Sequence, residues 1–282
     1  MFKFYGYLGI IMVLFSELNF YFKIEPFASW YFPIIWLGFI FILDAVNYKL
    51  KGHSLILSRK EQFFKALLLS ALIWWLFELI NLKTLNWNYF TTSGYQEPWW
   101  IRFFIFRTIA FSTLLPAVIE IFELVRTFKL FSKFKLLKHH NITHKFLNTM
   151  FHIGLLMLVL AVIYPKYFYP FVWSAFYFIL DPINYLNKQP SILGYWKKGN
   201  IKIPVALFVA GTLCGLFWEF WNYYAVIKWS YEIPFVGFFK IFEMPILGYL
   251  GYGPFAFELF AMWYFVRSLH SHRKSFLELN RI

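Results

Sequence analysis

Charge is scarce in this sequence. Only 15% of its 282 residues are Asp, Glu, Lys or Arg, and acids are the rarer sign, 14 against 27 basic residues. Soluble domains carry about 25% charged residues, so an ordinary water-soluble globule is excluded. Cysteine is almost missing as well: the single Cys214 lies in an apolar run and permits no intrachain disulfide. The phosphate-cradling patterns G-x-x-x-x-G-K-[ST] and G-x-G-x-x-G do not occur, nor does the nucleophile elbow G-x-S-x-G. Nothing therefore points to nucleotide, dinucleotide or serine-hydrolase chemistry.

What is present is apolar: 60% of the residues are hydrophobic and 25% aromatic. Apolar runs of about 20 residues, the length of a helix that crosses a hydrocarbon core, recur along the whole chain. The sequence predicts an all-α integral membrane protein with eight transmembrane helices, near 4–22, 28–47, 63–82, 101–125, 147–165, 168–186, 204–224 and 241–266. The first run holds Lys3, is interrupted by Glu17 and is followed by no small-residue cleavage site, so it reads as a span and not a signal peptide.

Basic residues alternate between loops. Loop 48–62 carries Lys49, Lys51, Arg59 and Lys60; loop 126–146 carries Arg126, Lys129, Lys133, Lys135, Lys138 and Lys145. Loop 187–203 carries Lys188, Lys197, Lys198 and Lys202, and the tail carries Arg267, Arg273, Lys274 and Arg281. The opposite loops hold only Lys23, Lys83, Arg102, Lys166, Lys228 and Lys240. By the positive-inside rule both the N- and C-termini are cytoplasmic. The formal charge of +13 then points to anionic lipid headgroups at the basic loops rather than to nucleic acid. The expected location is the cell membrane, as a multi-pass protein (the cytoplasmic membrane if the source is bacterial).

The chain also repeats itself. FILDAVNY (41–48) returns as FILDPINY (178–185), preceded in each case by a proline and a tryptophan: Pro33 and Trp36, then Pro170 and Trp173. WLFELIN (75–81) matches FWEFWN (217–222), which aligns Glu78 with Glu219 and Asn81 with Asn222. Trp87-Asn-Tyr89 matches Trp229-Ser-Tyr231, and PAVIEIFELV (116–125) matches PFAFELFAMW (254–263), aligning Glu120 with Glu258. Four spans per copy predict two parallel four-helix repeats, 1–125 and 147–266, with a basic cytoplasmic connector at 126–146 and a basic tail at 267–282.

Three acids per copy therefore lie in apolar runs: Asp44, Glu78 and Glu120, then Asp181, Glu219 and Glu258. Ionisable groups at membrane depth cost about 2.5–3.5 kcal/mol by insertion scales and normally face the bundle interior or a cavity. Asn47, Asn184, Asn81 and Asn222 each follow an acid by three residues, on the same helical face, where an amide can bond the acid in either protonation state. A structural reading makes Asp44, Asn47, Asp181, Asn184, Glu78, Asn81 and Glu120 polar pins between helices. A chemical reading favours Glu219, set among Phe217, Trp218, Phe220, Trp221 and Tyr223, and Glu258, which follows EMPILGYLGYGPFAF (243–257). That proline- and glycine-broken stretch either lines a cavity or permits close helix packing. The first copy has no glycine there and carries Arg107, expected to pair with Glu120 or Glu123 and to neutralise that copy. His139, His140 and His144 in HHNITH look like one box of a membrane di-iron site, but only His152 and the pair His270 and His272 could add to them. A solvated basic loop explains the cluster better than a metal.

The unit made of Trp218-Glu219, Trp229-Ser-Tyr231 and Pro254-Phe-Ala-Phe-Glu258, with its first copy in Phe77-Glu78, Trp87-Asn-Tyr89 and Pro116 to Glu120, resembles the lycopene cyclase domain of the membrane-integral carotenoid cyclases. That family carries tandem copies of a small helical unit and a P-x-E-E-type acidic motif; this chain departs from it with P-x-x-x-E and no adjacent second glutamate. The resemblance implies a cofactor-independent isomerase: a membrane glutamate protonates a terminal polyene double bond, and the carbocation closes a ring and loses a proton. It implies Glu258 as donor and Glu219 as its partner or proton acceptor. Trp218, Trp221, Asn222, Trp229, Tyr231 and Pro254 would line the pocket of a hydrophobic, carotenoid or other isoprenoid substrate. A proton-coupled transporter or flippase of a hydrophobic solute uses the same elements, and a non-catalytic membrane scaffold would need none of the glutamates.

Overall fold

A computed structural model describes residues 1–92, 98, 100–128 and 141–270, with the His270 side chain not described. The chain is overwhelmingly helical. In order come α1 (Phe4–Phe22), α2 (Tyr31–Lys51), α3 (Leu55–Ser58), α4 (Lys60–Thr84) and strand β1 (Trp87–Thr91). A π-helical turn (Ile101–Phe106) then runs into α5 (Arg107–Ser112) and α6 (Leu114–Val125). Next are α7 (His144–Ile163), α8 (Pro165–Phe168), a 3-10 turn (Tyr169–Trp173), α9 (Ala175–Leu186), α10 (Ile192–Lys197) and α11 (Lys202–Tyr224). Strand β2 (Ile227–Tyr231), the short strands β3 (Lys240–Ile241) and β4 (Met244–Pro245), a 3-10 turn (Ile246–Gly251) and α12 (Tyr252–His270) complete it.

Among the described residues six helical stretches are long and apolar enough to cross a membrane: α1, α2, α4, the run Ile101–Val125, α7 and α11. Their burial is inside out by the standards of a soluble protein. Helix α1 buries Gly6, Gly9, Ser16 and Asn19 and exposes Leu8, Ile11, Leu14 and Leu18. Helix α7 buries Gly154 and Ala161 and exposes Ile153, Leu156, Val159 and Ile163. Aliphatic faces this large are at home in hydrocarbon, where small residues go to the helix contacts instead. At Gly9 an added Cβ would lie 2.5 Å from the Gly38 carbonyl oxygen, so α1 and α2 touch through backbone.

Two of the expected spans differ from the sequence reading. Over 168–186 a regular helix begins only at Ala175, after the 3-10 turn that contains Pro170. The resulting α9 has 12 residues, about 18 Å at the usual helical rise, against a hydrocarbon core of about 30 Å. Over 241–266 the first half is the β3–β4 ribbon and a 3-10 turn; α12 starts at Tyr252, with Pro254 in its first turn, where a missing N–H costs no bond. In the first copy Pro116 sits similarly early in α6. There the Ser70 hydroxyl enters the break between α5 and α6, donating to the Phe111 carbonyl (2.5 Å) and accepting from Leu115 N–H (2.9 Å). These are the two groups that an uninterrupted helix would join directly.

The chain forms two compact units. The first holds 1–127 with 213–249, and the second holds the described residues of 128–212 and 250–282. Helix α11 gives its early turns to the second unit and its later turns to the first.

Candidate functional site

The first unit brings the two W-x-Y motifs onto one another. β1 and β2 pair antiparallel, with Trp87 opposite Tyr231, Asn88 opposite Ser230 and Tyr89 opposite Trp229. Each strand is docked on the helix before it by an asparagine. Asn81 donates to the Trp87 carbonyl (2.8 Å) and accepts from Asn86 N–H (2.9 Å). Asn222 donates to the Trp229 carbonyl and accepts from Trp229 N–H, both at 2.9 Å. These amides therefore serve strand backbone and not the neighbouring acids. Sharing a helical face does not decide which way an amide turns, and the nearby strands offer buried backbone groups that need partners.

The acids are met by tyrosines instead. Tyr89 donates to Glu78 Oε1 (2.7 Å), as does the Trp87 indole N–H (3.0 Å). Burial, and after it the Glu78 charge, hold the Tyr89 phenol far above its ordinary pKa, so it remains a donor. Tyr231 donates to Glu219 Oε1 (2.6 Å), and here the Trp229 indole N–H bonds the tyrosine oxygen (2.7 Å) rather than the acid. Arg107 lies 3.8 Å from Glu78 Oε2 and stacks over the Tyr89 and Phe103 rings, 4.3 and 4.6 Å from their centroids. The expected pairing of Arg107 with Glu120 or Glu123 is thus corrected. Those acids lie 13 and 16 residues further along one helical run, about 20 Å or more away, whereas Glu78 faces Arg107 from α4.

Glu219 is fully buried, and its neighbour in sequence, Trp218, sits in a cluster of tryptophans. Trp218 lies 5.2 Å from Trp74 and 6.0 Å from both Trp36 and Trp229, ring centre to ring centre. The indole nitrogens of Trp218 and Trp36 have no hydrogen-bond partner among the described residues. Trp221 packs on Trp36 (5.1 Å) and donates to Glu17 Oε1 (2.9 Å). Of the six residues assigned to a substrate pocket, Trp218, Trp221, Asn222, Trp229 and Tyr231 thus belong to this one unit with Glu219. Trp36, Trp74 and Glu17 join them without having been singled out. Glu17 had a signal, as a lone acid in an apolar run, and Trp36 recurred in both copies; Trp74 had none.

Glu258 and Pro254 belong to the second unit. Glu258 is fully buried, accepts from Phe176 N–H (2.8 Å) in the first turn of α9, and its Oε2 has no hydrogen-bond partner among the described residues. Of the glycines before it, Gly253 serves close packing, since an added Cβ would collide with the Phe208 ring, whereas at Gly251 it would meet nothing within 4 Å. Across the contact, a Cβ on Gly211 of α11 would collide with the Tyr252 carbonyl.

The aspartates hold the ends of short helices. Asp44 Oδ1 accepts from Ile56 N–H in α3 (2.7 Å) and its other oxygen from the Tyr5 phenol. Asp181 accepts from Ile192 and Leu193 N–H in α10 (2.8 and 2.9 Å). Asn47 donates to both the carbonyl (2.9 Å) and the carboxyl (2.6 Å) of Glu120, and Asn184 to the Ala261 carbonyl (2.8 Å). Each FILDxxNY helix thereby binds a following short helix through its acid and a later long helix through its amide. Glu123 meets Lys51 (2.6 Å), Arg59 (3.7 Å) and Arg126 (3.9 Å). His139, His140, His272 and the basic residues of 129–140 and 271–282 lie outside the described residues. Among the described residues no three His, Cys, Asp or Glu side chains are grouped to hold a metal.

Comparison with family models, curated proteins and solved structures finds no match.

Proposed function

We propose that the chain is a cofactor-independent membrane isomerase that cyclises a carotenoid or related isoprenoid lipid by protonation. The observation that carries the reading is Glu219: a fully buried carboxyl group bonded by Tyr231, whose hydroxyl also accepts from Trp229, itself packed on the ring of Trp218. Glu219 transfers its proton to a terminal carbon–carbon double bond. The carbocation is attacked by a neighbouring double bond, which closes the ring. The new cation then loses an adjacent proton to the Glu219 carboxylate, so the product is an isomer and the acid is restored. Indole faces stabilise the positive charge, and the absence of water from a dry pocket protects it. Glu219, rather than Glu258, takes the donor role, because Glu219 is the acid surrounded by the other pocket residues.

Eight spans in two parallel four-helix repeats, with both ends cytoplasmic, form part of the same proposal; the recurrent Glu–Tyr bonds, the asparagine-docked strands and the aspartate bonds to a following short helix support that architecture. A proton-coupled carrier of a hydrophobic solute is favoured by a different observation, the Oε2 of buried Glu258, which has no hydrogen-bond partner among the described residues. Expression in a bacterium that accumulates lycopene, with pigments resolved by chromatography, separates the two. Ring formation lost in Glu219→Gln and kept in Glu258→Gln supports cyclisation at Glu219. An unchanged pigment profile from folded, membrane-inserted protein removes lycopene as substrate. Proton-coupled solute uptake lost in Glu258→Gln would establish the carrier instead.

A further inference from the structure

In the second unit a cleft of about 540 Å³ opens between the start of α7 and the end of α9. Its upper rim is polar, with His144, Lys145 and Asn148, all exposed. Its floor is apolar, with Leu147, Phe151, Pro182, Ile183 and Leu186. The two helices are pinned together further along, where a Cβ on Gly154 would lie 2.9 Å from the Ala175 carbonyl and 2.8 Å from side-chain carbons of Phe178 and Ile179. The cleft is what remains open between that contact and the helix ends.

Polarity changes along α7 in the direction of the membrane normal. Lys145 is in the first turn of a spanning helix, the depth of the headgroups, and Phe151 lies about 9 Å deeper at the helical rise. Among the described residues no carboxylate lines the cleft, and the Asp181 oxygens are directed to the α10 backbone. Lys145 donates as an ammonium and Asn148 as an amide, and His144 presents an N–H in either charge state. A cationic rim above an apolar floor matches one chemistry, an anion carried on a hydrocarbon chain. The volume is in the range of ligand sites and suits the glycerophosphate end and upper acyl segment of one lipid.

We propose that this cleft binds an anionic glycerophospholipid, its phosphate at Lys145 and one acyl chain along Phe151, Ile183 and Leu186. The site is independent of the reaction assigned to Glu219. The test is native mass spectrometry of the full chain in detergent, titrated with dioleoyl phosphatidylglycerol or dioleoyl phosphatidylcholine. Phosphatidylglycerol should be retained about fivefold over phosphatidylcholine, the ratio expected of one basic side chain at a lipid surface. Lys145→Glu should abolish the preference; it is exposed, so folding is not at stake. Leu186→Trp, which fills the floor, should lower retention of both lipids. Lys83→Glu, an exposed lysine in the last turn of α4 and of the opposite loops, should change neither. Equal retention of the two lipids by the unaltered chain would overturn the proposal, as would an equal loss in Lys83→Glu. Displacement by glycerol 3-phosphate at the same concentration would show that the chain contacts add nothing, and would reassign the cleft to free phosphate esters.

Discussion

Glu78 and Glu219 occupy matching places on α4 and α11, each at the foot of its own strand of one ribbon, each bonded by a tyrosine two residues beyond a tryptophan. Around Glu78 the tryptophan also bonds the acid, and Arg107 closes over the tyrosine as an ion partner. Around Glu219 the tryptophan bonds the tyrosine, and the tyrosine bonds the acid. One scaffold thus carries an acid paired with a cation and an acid bonded by a neutral donor. The first suits a structural joint, and the second suits the proton transfer proposed for Glu219.

The largest expected effect is on activity. Glu219→Gln should lower ring formation by about 10²- to 10⁴-fold, the usual worth of a positioned acid, while Glu78→Gln leaves it within about twofold of the unaltered chain; pigment yield at matched membrane expression measures both. Equal losses in the two variants would erase the distinction between the acids. On stability the order reverses. Arg107→Met should cost about 1–3 kcal/mol, less than a fully buried pair because Arg107 is partly exposed and its contact is long; the double variant with Glu78→Gln should recover part of that loss in a thermal-unfolding cycle. Next come the asparagines. Asn81→Ala and Asn222→Ala each leave strand backbone unsatisfied and should each cost about 1–3 kcal/mol, read as a lowered midpoint of unfolding in detergent. The smallest change belongs to Tyr231→Phe and Tyr89→Phe, at about 1 kcal/mol of stability apiece. Only Tyr231→Phe should also lower ring formation, by about tenfold, and a matching loss in Tyr89→Phe would place both tyrosines in the reaction.

The sequence disclosed the parts of this site better than their assembly. Apolar length and scarce charge identified the six long helices, and the duplicated motifs identified Glu78, Glu219 and both W-x-Y segments. Their mutual pairing was not legible: the strands are five residues each, and neither carries turn residues pointing to a distant partner. The amides look in sequence like companions of their acids, because i, i+3 spacing fixes a shared face and says nothing of rotamer. Helix breaks were foreseen at the glycines and Pro245, but the early turns around Pro170 were not, because proline is also compatible with a helix start. Ser70, which bridges Phe111 and Leu115, looks in sequence like any small residue of an apolar helix.

The ribbon also sets a timetable for biosynthesis. Everything that surrounds Glu78, from Trp87 and Tyr89 to Arg107, is made within one short stretch of chain. The partner strand follows about 140 residues later, on the order of 10–30 s at ordinary rates of synthesis. Through that interval β1 has an open edge, which in or beside lipid invites a wrong partner. The local joint with Asn81, Glu78 and Arg107 keeps the strand docked until β2 arrives, so the strand made first becomes the mould on which the second is cast.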